Sequence, residues 1–329
     1  MTENVEILKP KKARNMAISA IRCVAMTGII LCHFFQYYGI ELAWWFNVGV
    51  HMFLFMSGFL YGNKDISSPI DFIIKNFKKI LVPYYCFLLP AIVMYFIFAR
   101  SFISWNSVVF ALLCNGTITG MEHLWFISYI LFCYILTPYL SDLVKKLRGF
   151  SCYSFLAICF GLIVLGFVWT RAFQSFFGYN CIICYLLGYF ASVFLHQYGE
   201  NKFRVLSYVV IFVAIVANGV RIYYKYVLHT GFIGFGYFEM YAHVCLGAAL
   251  VLGLFQMFSN VKENAVLSMV DKYSYYIYIV HQVFILGPFT LLLATEYAPI
   301  NWILTLIVII ISAVVLKLFS DKVSDILDK

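Results

Sequence analysis

The chain is poor in charged residues. Asp, Glu, Lys and Arg make up 12% of its 329 residues, well below the roughly 25% that is usual in soluble domains. Hydrophobic residues make up 64% of the chain, and the mean hydropathy is +0.90. This balance excludes an ordinary soluble domain and predicts an integral membrane protein, which we place in the cytoplasmic membrane as a multi-pass protein.

The chain also lacks a concentrated basic patch. Its formal net charge is +8, but Lys and Arg are scattered between apolar runs. That scatter argues against nucleic-acid binding and is typical of residues that set membrane orientation. The polar N-terminal residues 1–15 do not resemble a cleavable signal peptide, because the apolar run behind them is too long.

The spacings of a metal or redox site are missing as well. No two histidines stand four residues apart within one apolar segment, so we expect no metal site. Cys181 and Cys184 have the spacing of a redox pair, but they lie in an apolar run without a thioredoxin-like context. We interpret them as small hydrophobic residues.

Long apolar runs dominate what is present. Windows of about 20 residues predict an all-α protein with about ten transmembrane helices. These are 16–36, 44–62, 81–99, 122–140, 150–169, 179–197, 203–222, 237–258, 273–293 and 299–319. With the N-terminus inside, eighteen of the 23 basic residues fall on the inner side and four on the outer side, so both termini are predicted to be cytoplasmic.

The connections between these runs are short. We therefore predict a cytoplasmic tail over 1–15, one membrane domain over 16–320 and a second cytoplasmic tail over 321–329. Residues 69–79 have apolar positions at helical spacing, which predicts an amphipathic interfacial helix that ends before Pro83 begins a span. Residues 104–114 are apolar but too short to cross a bilayer.

The first span carries two costly residues, Arg22 and His33. Eleven helical residues advance by about 16 Å and end roughly 20° past three full turns. The two side chains therefore lie on one stripe of one helix, with Arg22 near the inner side and His33 toward the outer side. Ionisable groups inside a membrane tend to mark a functional path, although Arg22 could also reach the headgroups and His33 could be a packing residue.

Other polar residues of the spans concentrate toward the predicted outer side. Two pairs are spaced four residues apart on a helix, and a third group begins the fourth span. These residues are Asn47, His51, Glu122, His123, Trp125, Glu239 and His243. They predict a polar cavity on the outer side, although His51 and His243 taken singly could be structural.

Several elements together resemble one family. The R-(x10)-H spacing of Arg22 and His33 on a first span is similar to the signature of the acyltransferase-3 family, membrane acyltransferases of polysaccharide O-acetylation. Four further elements follow in the family's order. They are FLFMSGF at 53–59, KKILVP at 78–83, HLWF at 123–126 and SYYIYIVH at 274–281. The basic pair, often arginine in the family, is lysine here.

The resemblance implies an O-acyltransferase, most simply an O-acetyltransferase. Its donor would be cytoplasmic acyl-CoA, used as a substrate with no bound cofactor. The acceptor would be a hydroxyl of a carbohydrate or lipid-linked glycan at the outer side. Arg22 and His33 would be the catalytic residues. Acyl-CoA binding would fall to Arg22, Lys78, Lys79, Ser57 and His281, with Tyr278 joining the acceptor-side candidates.

Two mechanisms and two other functions stay open from the sequence. His33 could act as a general base or could itself be acylated. A secondary transporter would use Arg22 as a substrate counter-ion and the histidines for proton coupling. A non-catalytic sensor or assembly subunit would tolerate the loss of both residues.

Overall fold

The computed structural model describes residues 16–146, 151–173, 179–262 and 264–328, and this part of the chain is helical with no strand. The α-helices in chain order are α1 Met16–Tyr37, α2 Ala43–Phe46, α3 Val48–Tyr61, α4 Pro69–Phe98, α5 Trp105–Leu112, α6 Phe126–Lys146, α7 Cys152–Phe173, α8 Tyr179–Ile222, α9 Phe235–Phe258, α10 Ala265–Ile285 and α11 Ala298–Leu327. The predicted tail over 1–15 lies outside the described residues.

The all-α prediction is confirmed. Among the described residues, seven helical stretches are long and apolar enough to cross a membrane. They are Met16–Tyr37, Ala43–Tyr61, Pro69–Phe98, Glu122–Lys146, Asn180–Val227, Phe235–Phe258 and Ala298–Leu327. Every predicted apolar segment overlaps a helix. The total of ten crossings and the side of the termini stay predictions.

The long helix α8 consists of two parts that meet at Gly199, whose φ of 79° and ψ of 174° are not helical. Ile183 and Val213 line the same cavity, although thirty residues of straight helix would separate them by about 45 Å. The chain therefore turns back near Gly199, where glycine adopts the positive φ without a steric penalty. The two parts correspond to the predicted segments 179–197 and 203–222.

Helix α10 begins and ends eight residues before the predicted ninth segment, 273–293. It begins earlier, because the side chain of Asn264 accepts hydrogen bonds from the backbone N–H groups of Val266 and Leu267 and caps the helix. It ends at Ile285, just before the Gly-Pro pair that starts at Gly287. The shift places Asp271 inside the helix instead of in a loop.

Helix α4 corrects a second boundary. Residues 69–79 do not form a separate interfacial helix, since α4 is continuous from Pro69 to Phe98 and contains Pro83 and Pro90 in its interior. Proline is tolerated inside membrane helices because neighbouring groups take over the freed backbone contacts. The short apolar segment 104–114 forms α5, and it is tied to α4 by the hydroxyl group of Tyr85, which donates to the carbonyl of Leu112 at 2.8 Å.

Two glycines let α3 and the first part of α8 pack backbone to backbone. A Cβ on Gly58 would lie 2.0 Å from the carbonyl oxygen of Tyr185, and a Cβ on Gly188 would lie 1.8 Å from the carbonyl oxygen of Phe55. Small residues drive close packing of helices in membranes, where apolar burial adds little. This contact explains the glycine that follows Ser57 in the second span.

We expect Gly188→Ala to lower the free energy of unfolding by about 1–3 kcal/mol, because the new methyl group forces α3 and α8 apart. The measurement is thermal or denaturant unfolding of the detergent-purified protein. Gly219→Ala is the matched control on the same helix, since a Cβ there would meet no described atom within 4 Å. Equal stability of the two variants would contradict the packing role of Gly188.

Candidate functional site

Helices α1 and α10 lie side by side and run in the same direction. Nη1 of Arg22 is 2.8 Å from Oδ1 of Asp271, and further along both helices the ring centroids of His33 and His281 are 5.0 Å apart. The two contacts are separated by eleven residues along α1 and by ten residues along α10, which is about 15–16 Å of helix. A parallel arrangement is what the first and ninth of ten spans would require.

Asp271 is the buried partner in the ion pair with Arg22. Its side chain is only 1% exposed, against 32% for Arg22, and its second oxygen accepts a 2.9 Å hydrogen bond from the hydroxyl group of Ser19. Both carboxylate oxygens are thus engaged, which compensates the burial of the charge. Asp271 is absent from the residues predicted from the sequence, because the predicted span began two residues after it.

A cavity of about 370 Å³ adjoins Arg22, and we call it the Arg22 cavity. It is lined by two further predicted acyl-CoA residues, Ser57 and Lys79. The structure does not bring the other two into it. Lys78 pairs with Asp328 at 2.5 Å, and His281 packs against the ring of His33.

A second cavity, of about 390 Å³, adjoins His33, and we call it the His33 cavity. Its walls include five of the predicted acceptor-side residues, Asn47, Glu122, His123, Trp125 and Tyr278. The two cavities share three lining residues, Ile29, Val50 and Tyr278. They are therefore neighbours along the stripe that Arg22 and His33 define.

The ring of His33 is oriented by Gln36, one helical turn further along α1. Nδ1 of His33 lies 2.6 Å from Oε1 of Gln36. An amide oxygen only accepts hydrogen bonds, so in this arrangement Nδ1 carries the hydrogen and Nε2 keeps its lone pair. Gln36 was not singled out from the sequence, although its spacing of three from His33 places both on one helix face.

Two more histidines surround His33. The ring centroid of His123 is 6.4 Å from that of His33 and 4.7 Å from that of His281. Both ring nitrogens of His123 face oxygens of α10: Nδ1 lies 2.5 Å from Oε1 of Gln282, and Nε2 lies 3.1 Å from the carbonyl of Ile279. The ring of His123 thus has a contact at each nitrogen, whereas the contact that orients His33 is at Nδ1.

His281 is fixed at one nitrogen only. Its Nδ1 donates to the carbonyl of Tyr278 at 2.7 Å, whereas its buried Nε2 has no hydrogen-bond partner within the described ranges. The hydroxyl group of Tyr278 in turn donates to the carbonyl of His123. We call His33, His123 and His281 the histidine group. Residues 278–282 of α10 supply His281 and the groups that contact His123.

The loop before α6 packs against the segment that follows α10 through two glycines. Gly120 has a φ of 80°, and a Cβ on it would lie 2.3 Å from Cα of Gly287. The N–H of Gly120 donates to Oε2 of Glu122 at 2.9 Å. Glu122 therefore supports the loop that presents His123, in addition to lining the His33 cavity.

The remaining predicted residues belong to a separate group. His51 and His243 are in ring contact at 4.7 Å, and Glu239 forms an ion pair with Arg221 at 3.0 Å. None of these four residues lines the His33 cavity. The acceptor-side candidates are thus divided between two places.

Within the described residues, no group of three or more His, Cys, Asp or Glu side chains is placed to hold a metal ion. The charged and imidazole side chains are Arg22, Lys79, Lys272 and Asp271 in the Arg22 cavity, and His33, His123 and Glu122 in the His33 cavity. Such a combination fits a long anionic substrate whose reactive group lies far from its charge.

Comparison with known families identifies one match. The acyltransferase-3 family, described as an acyltransferase domain, matches residues 15–319. The chain therefore belongs to this family of acyltransferases. No curated protein matches the chain. No solved structure matches it either.

We expect the Arg22–Asp271 pair to show energetic coupling. Asp271→Ala should lower the free energy of unfolding. Arg22→Ala should lower it less in the Asp271→Ala background than in the wild-type protein, because the buried carboxylate that would lose its partner is already gone. The measurement is a double-mutant cycle of unfolding in detergent, with a coupling energy of roughly 0.5–3 kcal/mol. We expect the low end, since Arg22 is a third exposed. Additive single effects would contradict the coupling.

Proposed function

We propose that the protein is a membrane O-acyltransferase. It transfers an acyl group, most simply acetyl, from cytoplasmic acyl-CoA to a hydroxyl of a carbohydrate or lipid-linked glycan at the outer side of the cytoplasmic membrane. The observation that carries this proposal is the placement of an anchored arginine and a histidine with a free Nε2 beside two adjacent cavities. Family membership supports the acyl-transfer chemistry.

Donor binding begins at the Arg22 cavity. Arg22 and Lys79 supply cations for the phosphates of the donor, and Arg22 is held in place by Asp271. The uncharged arm of the donor then follows α1 past Ser57 and Tyr278, which line this cavity with hydroxyl groups. The thioester reaches the neighbouring His33 cavity, about 16 Å along the helix from Arg22.

His33 performs the proton transfer. Nε2 accepts the proton of the acceptor hydroxyl while the oxygen attacks the thioester carbonyl. The new C–O bond forms, the C–S bond breaks, and the thiolate of coenzyme A takes the proton from the imidazolium. Gln36 is a positioning residue in this scheme, because its oxygen holds the hydrogen on Nδ1. Transfer through an acyl-histidine is the other route, and it would show ping-pong kinetics.

We expect His33→Ala to lower acyl transfer by at least about 100-fold, the usual contribution of a general base. The assay follows labelled acetyl groups from acetyl-CoA to glycan in membranes that contain the protein. His196→Ala is the matched control, since this exposed histidine lines neither cavity and its Nδ1 contacts the carbonyl of Ser192 at 2.8 Å. Full activity of His33→Ala would refute the assignment, and solute flux without acyl-CoA would favour the transporter.

Two neighbouring lysines test the donor site. Lys79→Gln should raise the KM for acetyl-CoA roughly tenfold, equivalent to the loss of about 1.4 kcal/mol of binding. Lys78→Gln is the control, because Lys78 pairs with Asp328 away from the Arg22 cavity. With acetyl-pantetheine, which has no phosphates, the difference between the two variants should disappear. Equal KM values for acetyl-CoA in the two variants would contradict a phosphate contact of Lys79.

A further inference from the structure

A fully buried arginine lies outside the two cavities. Arg221, near the end of α8, has no exposed side-chain surface. Its guanidinium carbon lies 3.3 Å from the ring centroid of Trp44, and its Nε donates to Oε1 of Glu239 at 3.0 Å. We call Arg221, Trp44, Glu239, His51 and His243 the Arg221 cluster.

The cluster contains several buried nitrogens that no described residue satisfies. Nη1 and Nη2 of Arg221 have no hydrogen-bond partner in the part of the chain that the structure describes. Among the same residues, neither ring nitrogen of His243 nor Nδ1 of His51 makes a hydrogen bond of good geometry, although both rings face the backbone of Asn47. An unpaired buried polar group costs about 1–3 kcal/mol, and a charged group costs more. Unpaired groups at one place need an explanation, and a bound anion is one that matches the chemistry of a guanidinium.

A purely structural ion pair does not account for this arrangement. Glu239 engages only the Nε edge of Arg221, so the fork formed by Nη1 and Nη2 is left over. That fork matches the two oxygens of a carboxylate or phosphate, which it binds in a bidentate manner. Trp44 covers the face of the guanidinium, which holds the fork in one plane and favours a directed contact.

One residue of the Arg221 cluster is close in sequence to a residue that lines the His33 cavity. Asn47 lines the His33 cavity and stands one helical turn before His51, which contacts His243 at 4.7 Å between ring centroids. The side chain of Glu239 is 25% exposed, so the cluster reaches the protein surface on that side. His51 of the Arg221 cluster therefore lies one helical turn from a residue that lines the His33 cavity.

We infer that the Arg221 cluster is a binding subsite for an oxyanion, a carboxylate or a phosphate, carried by the acceptor. Nη1 and Nη2 of Arg221 bind the anion, and His243 donates a further hydrogen bond. Glu239 stays on the Nε edge and limits the net positive charge. The assignment of the anion to the acceptor rests on the proposed function, whereas the oxyanion site itself does not.

Ligand-induced stabilisation tests the subsite without any need for activity. The detergent-purified protein is heated with glucuronate, glucose 1-phosphate or glucose, each at matched ionic strength. A ligand that binds the folded state raises the melting temperature. We expect an increase with at least one anionic sugar over glucose, and the two anions distinguish a sugar acid from a sugar phosphate. No increase over glucose with either anion would overturn the inference.

Three variants locate the binding. Arg221→Gln should abolish the anion-dependent shift, and Arg221→Lys should reduce it, because lysine keeps the charge without the fork. Arg22→Gln should retain the shift, which separates this site from the Arg22 cavity. A shift that survives Arg221→Gln or is lost in Arg22→Gln overturns the inference. The Arg221→Lys and wild-type measurements keep the test decisive if Arg221→Gln fails to fold.

The His33→Ala variant separates the two proposals. It should keep the anion shift of the wild-type protein while it loses acetyl transfer. If the wild-type protein shows the anion shift but transfers no acetyl group, the proposed function is refuted and the oxyanion subsite is not. Acetyl transfer by a wild-type protein that shows no shift would refute the oxyanion subsite alone.

Discussion

The structure depends on one constraint, that a charge inside a membrane needs a partner within the protein. The carboxylate of Asp271 meets this need by contacting Arg22 and Ser19. The contact sets the register of α10 against α1. In that register, the turn of α10 that carries His281 lies beside His33. The position of the histidine group is thus a consequence of an ion pair about 15 Å away along the helix.

The three histidines of this group differ in what their nitrogens face. His123 has an oxygen within hydrogen-bond distance of each ring nitrogen, whereas among the described residues His281 is held at Nδ1 alone. His33 is oriented at Nδ1 by a residue of its own helix, Gln36. The hydrogen-bond partners of an imidazole determine which of its nitrogens carries the proton, so histidines within one cluster can have different roles.

Local spacing predicted part of the site, and long-range pairing decided the rest. The stripe from Arg22 to His33 follows from helical geometry alone, and so does the apolarity of most spans. Asp271 was missed because a hydropathy window does not register a helix cap, so the predicted helix began too late. Arg221 is one of the four basic residues that the charge count places on the outer side, at the end of the predicted segment 203–222. Its burial depends on Trp44 and Glu239, which come from other helices and whose meeting no local pattern indicates.

The parallel pairing of α1 with α10 has a consequence for selectivity. If phosphates bind at Arg22 and the thioester lies at His33, a rigid helix acts as a ruler between the two ends of the donor arm. Such a ruler selects the carrier by its length and is indifferent to what lies beyond the thioester. The size of the transferred group is then limited by the space past His33, in a cavity of about 390 Å³ that the acceptor must share.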